Sequence, residues 1–491
     1  MYKFIYLILI LSSSILYSQS TFQKTYGGPQ EEEGYAVVQT DDGGFIIAAS
    51  TRSFGAGNYD FYIIRTNQDG DTLWTKTFGG SGYDEAQDII KTDDAHYLIA
   101  GYSTSFGVGE GDIYLIKIDI NGDTSWTKTI GTTENDHIKK IKKAADGGFI
   151  ICGDIETYGQ YKYYIIKTNS YGDTLWTKAY DYGTAYSIDQ TTDGGYIVIV
   201  LPYSTTQSRY DFQLVKTNEV GEVTWIKYFG GPDVEVGYAV EQTTDGGYIL
   251  AGRTDSYGNG GSDFYLLKTN STGDSLWAKT YGGESTERAF TACQTSDGGY
   301  IIGGYTSSFN VEYFDFYIVK TDENGDTLWT RTYGGNWQEE IYDIEETMDG
   351  GYAAVGYTYS FGAGNNPNIY LVKTNSYGLI TDASDQADRE AFNFKLSQNY
   401  PNPFNPVTTI EYSIPQTSKV TLTLFNILGE KIQILANEEK PAGKYTVHFN
   451  ASDLSSGVYF YQLKRDSEFA GEEVNEAAEN FLITKKMILL K

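Results

Sequence analysis

The sequence is short of the residues that most often carry catalysis or covalent cross-links. Its 491 residues include only three histidines and two cysteines. Cys152 and Cys293 fall in repeats that are not neighbours in the fold predicted below, and cysteines whose Cα atoms lie more than about 7 Å apart cannot form a disulfide. His96 in a tight turn, His137 in a predicted loop and His448 near the C-terminus match no metal-ligand or nucleophile–base spacing. These absences predict a protein with no disulfide, no resident cofactor and no enzymatic activity.

Positive charge is also scarce. The 36 Lys and Arg residues face 65 Asp and Glu residues, which gives a net charge of −29. Nucleic acids and anionic membranes would be repelled by such a chain. The sequence therefore excludes both as partners.

Long apolar runs are confined to the beginning of the sequence. Residues 1–18 combine an early Lys3, an apolar run from Phe4 to Leu16 and small residues, which is typical of a secretory signal peptide. A membrane anchor is the weaker alternative, because the run is too short and contains serines. We expect a monomeric mature chain without a transmembrane segment, secreted or held at the cell surface.

A unit of four short β-forming runs is repeated through most of the sequence. Between Gly237 and Gly283 the runs are Tyr238–Gln242, Tyr248–Gly252, Phe264–Lys268 and Leu276–Thr280. Tyr, Phe, Ile, Val and Trp favour strands, and the Gly, Asp and Asn residues between the runs favour turns. Each unit is predicted to be a four-stranded antiparallel meander.

Two markers count the units. The Asp of the first tight turn recurs seven times, at Asp42, Asp94, Asp146, Asp193, Asp245, Asp297 and Asp349. The Trp of the fourth run recurs six times, at Trp74, Trp126, Trp176, Trp225, Trp277 and Trp329. The seventh unit lacks this run, and the segment 21–28 supplies a matching one with Phe22 at the Trp position. We predict an all-β protein whose residues 19–380 form a seven-bladed β-propeller closed by the N-terminal strand.

One edge of the predicted blades carries short, uniform turns of the form Asn/Asp-x-x-Gly-Asp. They occur at Asn67–Asp71, Asp119–Asp123, Asn169–Asp173, Asn270–Asp274 and Asp322–Asp326. A calcium loop would need about six ligands over a longer stretch. A hairpin turn with Asx hydrogen bonds is the favoured interpretation, and calcium is the one cofactor candidate kept open.

The opposite edge varies between repeats, and variable loops on a rigid scaffold are the usual place for binding. The candidate ligand residues are the aromatic side chains of these loops: Phe54, Phe106, Tyr158, Tyr257, Phe309, Phe361 and Trp337. An acidic rim with aromatics suits a glycan or a protein segment. Six near-identical copies favour the alternative, in which each ring caps its own blade.

The third repeat differs from the others by the basic run His137–Lys143. One hypothesis is an anion site that includes Lys140 and Lys142. The favoured alternative is charge balance against acidic residues predicted to line the same channel. These residues are Asp88, Asp189, Glu241 and Asp343.

The periodicity ends before the C-terminal fifth of the chain. Residues 381–394 are predicted to be a linker, and residues 395–491 a second domain. Alternating runs predict a small β-sandwich with immunoglobulin-like patterning, with the segment 468–479 as an acidic surface loop. The runs are Val420–Phe425, Tyr445–Phe449 and Val458–Leu463.

This second domain carries a set of short motifs. Their residues are Asn399, Pro401, Asn402, Pro403, Phe404, Asn405, Pro406, Gly429, Gly457, Lys485 and Lys486. Together they resemble the type A C-terminal sorting domain of the type IX secretion system, a family with an Ig-like fold similar to the FlgD Ig-like domain. The resemblance implies recognition by the secretion machinery, passage across the outer membrane and, usually, removal of the domain with attachment of the cargo to surface lipopolysaccharide. The acidic segment departs from the family pattern, which leaves the cleavage position open.

The sequence favours a secreted or cell-surface propeller that acts as a binding or scaffold module. The alternative is a hydrolase or lyase that acts on extracellular polysaccharide from the variable-loop face. A quinone-dependent dehydrogenase is a third candidate, since those propellers have a similar Gly-x-x-x-Trp outer strand. Its catalytic residues and metal ligands have no counterpart in this sequence.

Overall fold

The chain divides into two compact units, residues 1–382 and 383–491. The computed structural model describes residues 20–157, 159–203, 211–309, 311–362, 366–380, 395–414, 418–440, 443–452, 454–466 and 482–490. Within these ranges every regular element is a β-strand, as the repeat pattern predicts. The predicted signal peptide, the linker and the acidic segment 468–479 lie outside the described residues. No described residue belongs to a helix with the length and apolarity needed to cross a bilayer.

The strands of the first unit follow the predicted runs closely. The first fourteen are β1 Phe22–Tyr26, β2 Glu32–Gln39, β3 Phe45–Thr51, β4 Asp60–Thr66, β5 Thr72–Phe78, β6 Asp84–Lys91, β7 Tyr97–Ser103, β8 Asp112–Ile118, β9 Thr124–Ile130, β10 Asp136–Lys143, β11 Phe149–Thr157, β12 Gln160–Thr168, β13 Thr174–Gln190 and β14 Tyr196–Pro202. The next thirteen are β15 Phe212–Thr217, β16 Val223–Phe229, β17 Glu235–Gln242, β18 Tyr248–Thr254, β19 Asp263–Thr269, β20 Ser275–Tyr281, β21 Glu287–Gln294, β22 Tyr300–Thr306, β23 Asp315–Thr321, β24 Thr327–Tyr333, β25 Glu339–Glu346, β26 Tyr352–Thr358 and β27 Asn368–Thr374.

These strands form a propeller-like series of antiparallel sheets. β2–β5, β6–β9, β17–β20 and β21–β24 are four-stranded meanders. β10–β16 form one seven-stranded sheet, because the first half of the 17-residue β13 pairs with β12 and its second half pairs with β14. The last sheet has the order β1-β27-β26-β25. In it β1 lies antiparallel to β27, with Phe22 opposite Lys373 and Tyr26 opposite Ile369.

The core lies between successive sheets. The second and third strands of each sheet are buried along almost their whole length, as in β3 and β4. Their apolar residues face a neighbouring sheet on both sides, so Ile46, Ala48 and Ile63 share one cluster with Ile99 and Ile116 of the next sheet. The outer strands instead alternate between exposed and half-buried residues. The sheets are therefore held together by face-to-face burial of small and branched side chains.

The recurring turn Asp has a specific partner that the sequence analysis did not assign. Asp245 accepts hydrogen bonds from the Thr243 hydroxyl and the Gly247 amide, and its carboxylate lies 2.9 Å from Lys268 Nζ on the third strand. The Lys268 side chain is only 4% exposed. The same pair occurs in all seven repeats: Arg65–Asp42, Lys117–Asp94, Lys167–Asp146, Lys216–Asp193, Lys268–Asp245, Lys320–Asp297 and Lys373–Asp349. Each pair satisfies a buried cation and fixes the turn to the third strand.

The outer strands contact the turns of the next sheet. The Trp277 ring lies against Gly325, which has a φ of 77° and no room for a Cβ atom. Phe22 of β1 lies in the same way against Gly70, whose φ is 76°. The glycine of this turn is thus required both by its positive φ and by the aromatic ring above it.

The C-terminal unit consists of two sheets around one core. Its strands are β28 Lys395–Leu396, β29 Val407–Ile414, β30 Ser418–Asn426, β31 Lys431–Lys440, β32 Gly443–Asn450, β33 Gly457–Asp466 and β34 Leu482–Leu489. One sheet has the order β28-β29-β32 and the other β31-β30-β33-β34. Ile410 and Phe449 from the first sheet pack in the same cluster as Leu422, Tyr461 and Met487 from the second. The predicted runs of this domain are all found as strands.

Candidate ligand-binding face

The first strand of each repeat in the first unit carries a one-residue bulge, and in the fourth repeat this strand is the second half of β13. The first strands of successive sheets lie side by side, and β25 lies beside β2. A bulge turns its side chain away from the regular alternation of the strand. The bulge residues are Tyr35, Gln87, Lys139, Tyr186, Tyr238, Phe290 and Tyr342. One position of the repeat is therefore displayed seven times at one level of the fold.

Five of these bulge residues are aromatic and contact one another in order; we call them the aromatic arc. The ring centroids are 5.0 Å apart for Tyr186–Tyr238, 5.1 Å for Tyr238–Phe290 and 5.6 Å for Phe290–Tyr342. Tyr342 and Tyr35 stack at 5.4 Å with an interplanar angle of 6°. Gln87 and Lys139 occupy the remaining two positions and interrupt the series. The arc is therefore open on one side.

Carboxyl groups surround the end of the arc at Tyr35. The Tyr35 hydroxyl lies 2.8 Å from Glu33 Oε2 and also within hydrogen-bond distance of Glu85 Oε1. Burial raises the pKa of Glu33, the bond from Tyr35 lowers it, and the charges of Glu85 and Glu340 raise it further. A phenol has one proton, so a protonated carboxyl group is needed for both contacts to be hydrogen bonds. The Tyr35 hydroxyl thus bridges the carboxyl groups of the two glutamates.

A cavity of about 230 Å³ lies at the opening of the arc. It is lined by Tyr83, Glu85, Gln87, Tyr102, His137 and Lys139, with Ile138 beneath. The Tyr102 and His137 rings stack with centroids 4.8 Å apart, and His137 Nδ1 is 3.2 Å from Asp154 Oδ1. His137 lies on β10, so its predicted loop position is wrong. Its strand position places it in the cavity wall.

The loop aromatics predicted as ligand residues lie elsewhere on this face. Apart from Trp337, each described ring of the set packs on a tyrosine in the third strand of its own sheet, and about 40% of its surface stays exposed. The pairs are Phe54–Tyr62, Phe106–Tyr114, Tyr257–Tyr265, Phe309–Tyr317 and Phe361–Tyr370, with centroids 4.9–5.9 Å apart. Tyr158 lies outside the described residues. This packing of each ring on its own sheet is the arrangement expected if the loop aromatics cap their blades.

Trp337 differs from the other candidates. It is 55% exposed and stacks on Tyr313, a residue of the neighbouring long loop, at 5.2 Å and 17°. This pair forms a flat aromatic surface that does not cap a strand. Ligand binding by Trp337 stays a prediction.

Two basic residues of the third repeat, Lys140 and Lys143, form ion pairs with acidic residues of the preceding repeat. Lys140 Nζ lies 3.0 Å from Asp88 Oδ1, and the Ile141 amide donates to Asp88 Oδ2. Burial raises the pKa of Asp88, while Lys140 lowers it and Asp343 raises it. This arrangement favours charge balance over the anion-site hypothesis for Lys140.

The turns considered for calcium use their oxygens internally. Asn67 Oδ1 accepts the amides of Asp69 and Asp71, and Asp71 Oδ1 lies 2.6 Å from Lys24 Nζ of β1. Across the described part of the chain, no group of three or more His, Cys, Asp or Glu residues is arranged to hold a metal ion. The turns have the hydrogen bonds of Asx hairpins, and calcium binding stays a prediction.

The sorting motif ties the start of the C-terminal unit to its last strand. Asn399 is buried, and its Nδ2 donates to Pro401 O at 3.0 Å and to Thr408 Oγ1 at 2.9 Å. Asn402 donates to Lys486 O and accepts from the Ile488 amide. These asparagines replace backbone hydrogen bonds that the two cis prolines, Pro401 and Pro403, are unable to donate.

The remaining motif residues have distinct roles. Phe404 is buried beside Phe449 and exchanges backbone hydrogen bonds with the last strand. Gly429, with a φ of 77°, forms the turn after Asn426, and Gly457 begins β33. Lys485 and Lys486 lie on β34, with Lys486 exposed, whereas Pro406, Asn405 and Pro403 lie in the segment before β29. Several members of the motif therefore build the fold, whereas Lys486, Pro401, Pro403 and Asn405 are exposed and accessible to a partner.

Residues 398–473 match the family model of the secretion system C-terminal sorting domain. The C-terminal unit is therefore a type IX secretion sorting domain, as the motifs predict, and it indicates export to the cell surface or the medium. No curated protein matches the sequence.

Several solved structures resemble the chain at low identity. BBS1N in complex with ARL6DN is 11% identical with a TM-score of 0.44, covering 72% of this chain and 96% of that chain. The acylaminoacyl peptidase of Pyrococcus horikoshii is 11% identical with a TM-score of 0.41, covering 79% and 59%. The β-propeller domain of the Trilobed protease from Pyrococcus furiosus is 13% identical with a TM-score of 0.40, covering 75% and 100%. At this level of similarity their activities say nothing about this chain.

Proposed function

We propose that the chain is an exported, monomeric β-propeller of seven blades that binds an extracellular ligand through the face carrying the aromatic arc, and that it is not an enzyme. The C-terminal unit, an immunoglobulin-like sandwich of the type A class, engages the type IX secretion machinery. The observation that carries the binding function is the arc itself. Five aromatic side chains on five adjacent strands form a preorganised surface beside an open cavity.

Contacts that repeat from sheet to sheet support a ring of seven blades. In five cases a turn amide donates a hydrogen bond to the side chain of the last residue in the neighbouring first strand. In the other two cases that last residue is a lysine, which donates to Asp41 or Asp93, the residue just before the recurring turn aspartate. The contacts are Lys91–Asp41, Lys143–Asp93, Ala145–Gln190, Thr192–Gln242, Thr244–Gln294, Ser296–Glu346 and Met348–Gln39. The last of them joins the seventh repeat to the first. The two halves of β13 belong to two successive repeats. With β13 counted in both, this series of contacts returns to the first repeat after seven steps, which supports a ring of seven blades.

The N-terminal strand supports the same closure. β1 completes the sheet of β25–β27 and places Phe22 against the turn of the first sheet, as each Trp does elsewhere. A ring whose two chain ends share one sheet is a rigid scaffold for loops. Rigidity matters for binding because a preorganised site loses little conformational entropy.

A screen of the exported chain against an array of extracellular glycans and peptides tests the binding function. We expect retention of at least one ligand class, and loss of that retention when Tyr238 and Phe290 are both changed to Ala. The matched control is Tyr171→Ala, which removes a 70% exposed aromatic ring from a turn on the opposite edge. Binding unaffected by the arc substitutions would contradict the assignment of the face.

One observation favours a second function, hydrolysis of a polysaccharide. Glu33 and Glu85 both contact the Tyr35 hydroxyl, and retaining glycosidases use two carboxyl groups about 5–5.5 Å apart as acid and nucleophile. Reducing-end release should be measured on every glycan that binds. Cleavage that disappears in both Glu33→Gln and Glu85→Gln would replace binding by catalysis as the function of the face.

A further inference from the structure

We propose that the cavity at the opening of the aromatic arc is a subsite for a single neutral hexose ring of an extracellular glycan. The inference rests on the proposed binding function of this face and names its ligand class. It is carried by the size of the cavity, the chemistry of its walls and its charge.

The size of the cavity limits what enters it. Pockets that enclose a whole drug-sized ligand usually measure about 300–1,000 Å³, and this one measures about 230 Å³. It therefore suits one ring of a longer molecule. The rest of that molecule would lie across the aromatic face, where the Tyr83 and Tyr59 rings lie with centroids 4.9 Å apart and planes tilted by 53°.

The walls combine aromatic rings with hydrogen-bonding groups. Tyr83, Tyr102 and His137 provide rings, with the Tyr83 and Tyr102 centroids 6.3 Å apart. Glu85, Gln87 and Lys139 provide an acceptor, an amide and a donor. A hexose has C–H groups that pack on aromatic rings and hydroxyls that both donate and accept. An aliphatic side chain would leave the polar wall unsatisfied.

The charge of the site favours a neutral sugar over an ionic one. The cavity contains one glutamate and one lysine, and Glu85 already accepts from Tyr35. His137 faces Asp154 rather than an unpaired charge. The net charge of −29 also repels acidic polysaccharides at long range. A uronic acid would thus meet repulsion, and a basic peptide side chain would meet Lys139.

The cavity exists because two bulge residues are not aromatic. Five of the seven bulge positions hold Tyr or Phe, and Gln87 and Lys139 leave the space that these rings would fill. A tyrosine at either position is therefore compatible with the scaffold and would close the cavity. This provides a steric test that leaves the fold intact.

The test is isothermal titration of the full chain with laminarihexaose, mannohexaose and cellohexaose, and with hexagalacturonate as the acidic counterpart. We expect one neutral hexasaccharide to bind, and Gln87→Tyr and Lys139→Tyr each to weaken it by roughly tenfold or more. Thr272→Tyr is the control, because it adds a tyrosine at an exposed turn position on the opposite edge, where the third repeat already has Tyr171, and binding should stay within about twofold. Circular dichroism and melting curves verify that the variants fold.

The outcomes separate the subsite from the face. If a neutral hexasaccharide still binds both Gln87→Tyr and Lys139→Tyr with unchanged affinity, the subsite is wrong while the proposed binding function of the face still holds. Preference for hexagalacturonate overturns the assigned ligand class, as does the absence of binding to all three neutral sugars. Capture of peptides alone in the array screen likewise overturns it while the face remains a binding surface. If the array shows no ligand for the face, the proposed function fails first.

Discussion

At the residue scale, the fold buries ionised groups in pairs and leaves a few carboxyl groups without a counter-charge. The seven Lys/Arg–Asp pairs of the turns are the first kind. Glu345 on β25 is the second, since among the described residues no hydrogen-bond partner reaches its buried Oε1 atom. The two kinds respond oppositely to pH, because pairing lowers the pKa of a carboxyl group and burial raises it.

Glu345→Gln should stabilise the protein at alkaline pH. Burial, and then the charge of Asp343, raises the pKa of Glu345 to about 8. A carboxyl group whose pKa is raised on folding contributes stability at acidic pH that is lost as the pH rises through the folded pKa. We expect wild type to lose up to about 4 kcal/mol between pH 5 and pH 9 relative to the Gln variant, at about 1.4 kcal/mol per pKa unit. Urea unfolding at the two pH values measures this.

The control for that substitution is Glu345→Val. Val38 occupies the same register position on β2, so valine is compatible with this site in the repeat. The Val variant should share the flat pH profile of the Gln variant. If the unfolding free energy of the wild type and of both variants depends on pH in the same way, the pH dependence does not come from Glu345.

Asp245→Ala should be among the most destabilising changes in a turn. It removes the carboxylate from buried Lys268, and leaving a buried charge unpaired costs about 3–5 kcal/mol. Asp274→Ala is the control, because it breaks an exposed pair with Lys227 worth at most about 1 kcal/mol. Equal effects of the two substitutions on urea unfolding would show that the turn pair is not special.

The same turn aspartates predict the acid limit of the fold. Although burial raises the pKa of Asp245, hydrogen bonds from Thr243 and Lys268 lower it to about 2. A carboxyl group with a lowered folded pKa gives stability that is present above its unfolded pKa and is lost as the pH falls through the folded one. Unfolding monitored by tyrosine and tryptophan fluorescence should set in below about pH 4.

At the element scale, the repeat units could be predicted from sequence and the ligand surface could not. Strand periodicity and turn residues predicted all four strands between Gly237 and Gly283. The two-residue alternation of a strand and the residue types of a turn both depend only on neighbouring residues in the sequence. The bulge at Tyr238 is not local: its displacement depends on pairing with β18. A sequence signal for the arc was present, because Tyr238 in Gly-Tyr-Ala-Val and Phe290 in Ala-Phe-Thr-Ala occupy the same place in their repeats. The alternation of a regular strand does not reveal that these residues form bulges. His137 was placed in a loop although β10 begins at Asp136, because Asn135 and Asp136, two residues that favour turns, directly precede it.

The first strand, β1, is the element on which the proposed ring closure depends. Phe22→Ala should open the contact with Phe45 and Gly70, since deleting a buried Phe side chain costs about 3–5 kcal/mol. Phe22→Trp is the matched control, because tryptophan occupies the same position in six repeats. We expect a clearly lowered melting temperature for Ala and a small change for Trp. A lower melting temperature for Trp than for Ala would contradict the equivalence of β1 with the other outer strands.

At the scale of the whole molecule, the chain combines an acidic, repetitive scaffold with a separate export signal. The sorting domain was recognisable because Asn399, Asn402 and Phe404 are fold determinants at fixed spacing. The ligand was not, since the proposed subsite lies where the fold departs from the repeat, at Gln87 and Lys139. The repeats predict the architecture, whereas the proposed specificity depends on the exceptions to them.

Hydrogen exchange of the full chain, measured on peptides that cover β1, tests the closed ring most directly. We predict that the amides of residues 22–26 exchange as slowly as those of β27, and that removing residues up to 27 accelerates exchange in 369–373. Rapid exchange of β1 as a free tail, with β27 still protected, would contradict a ring whose two ends share one sheet.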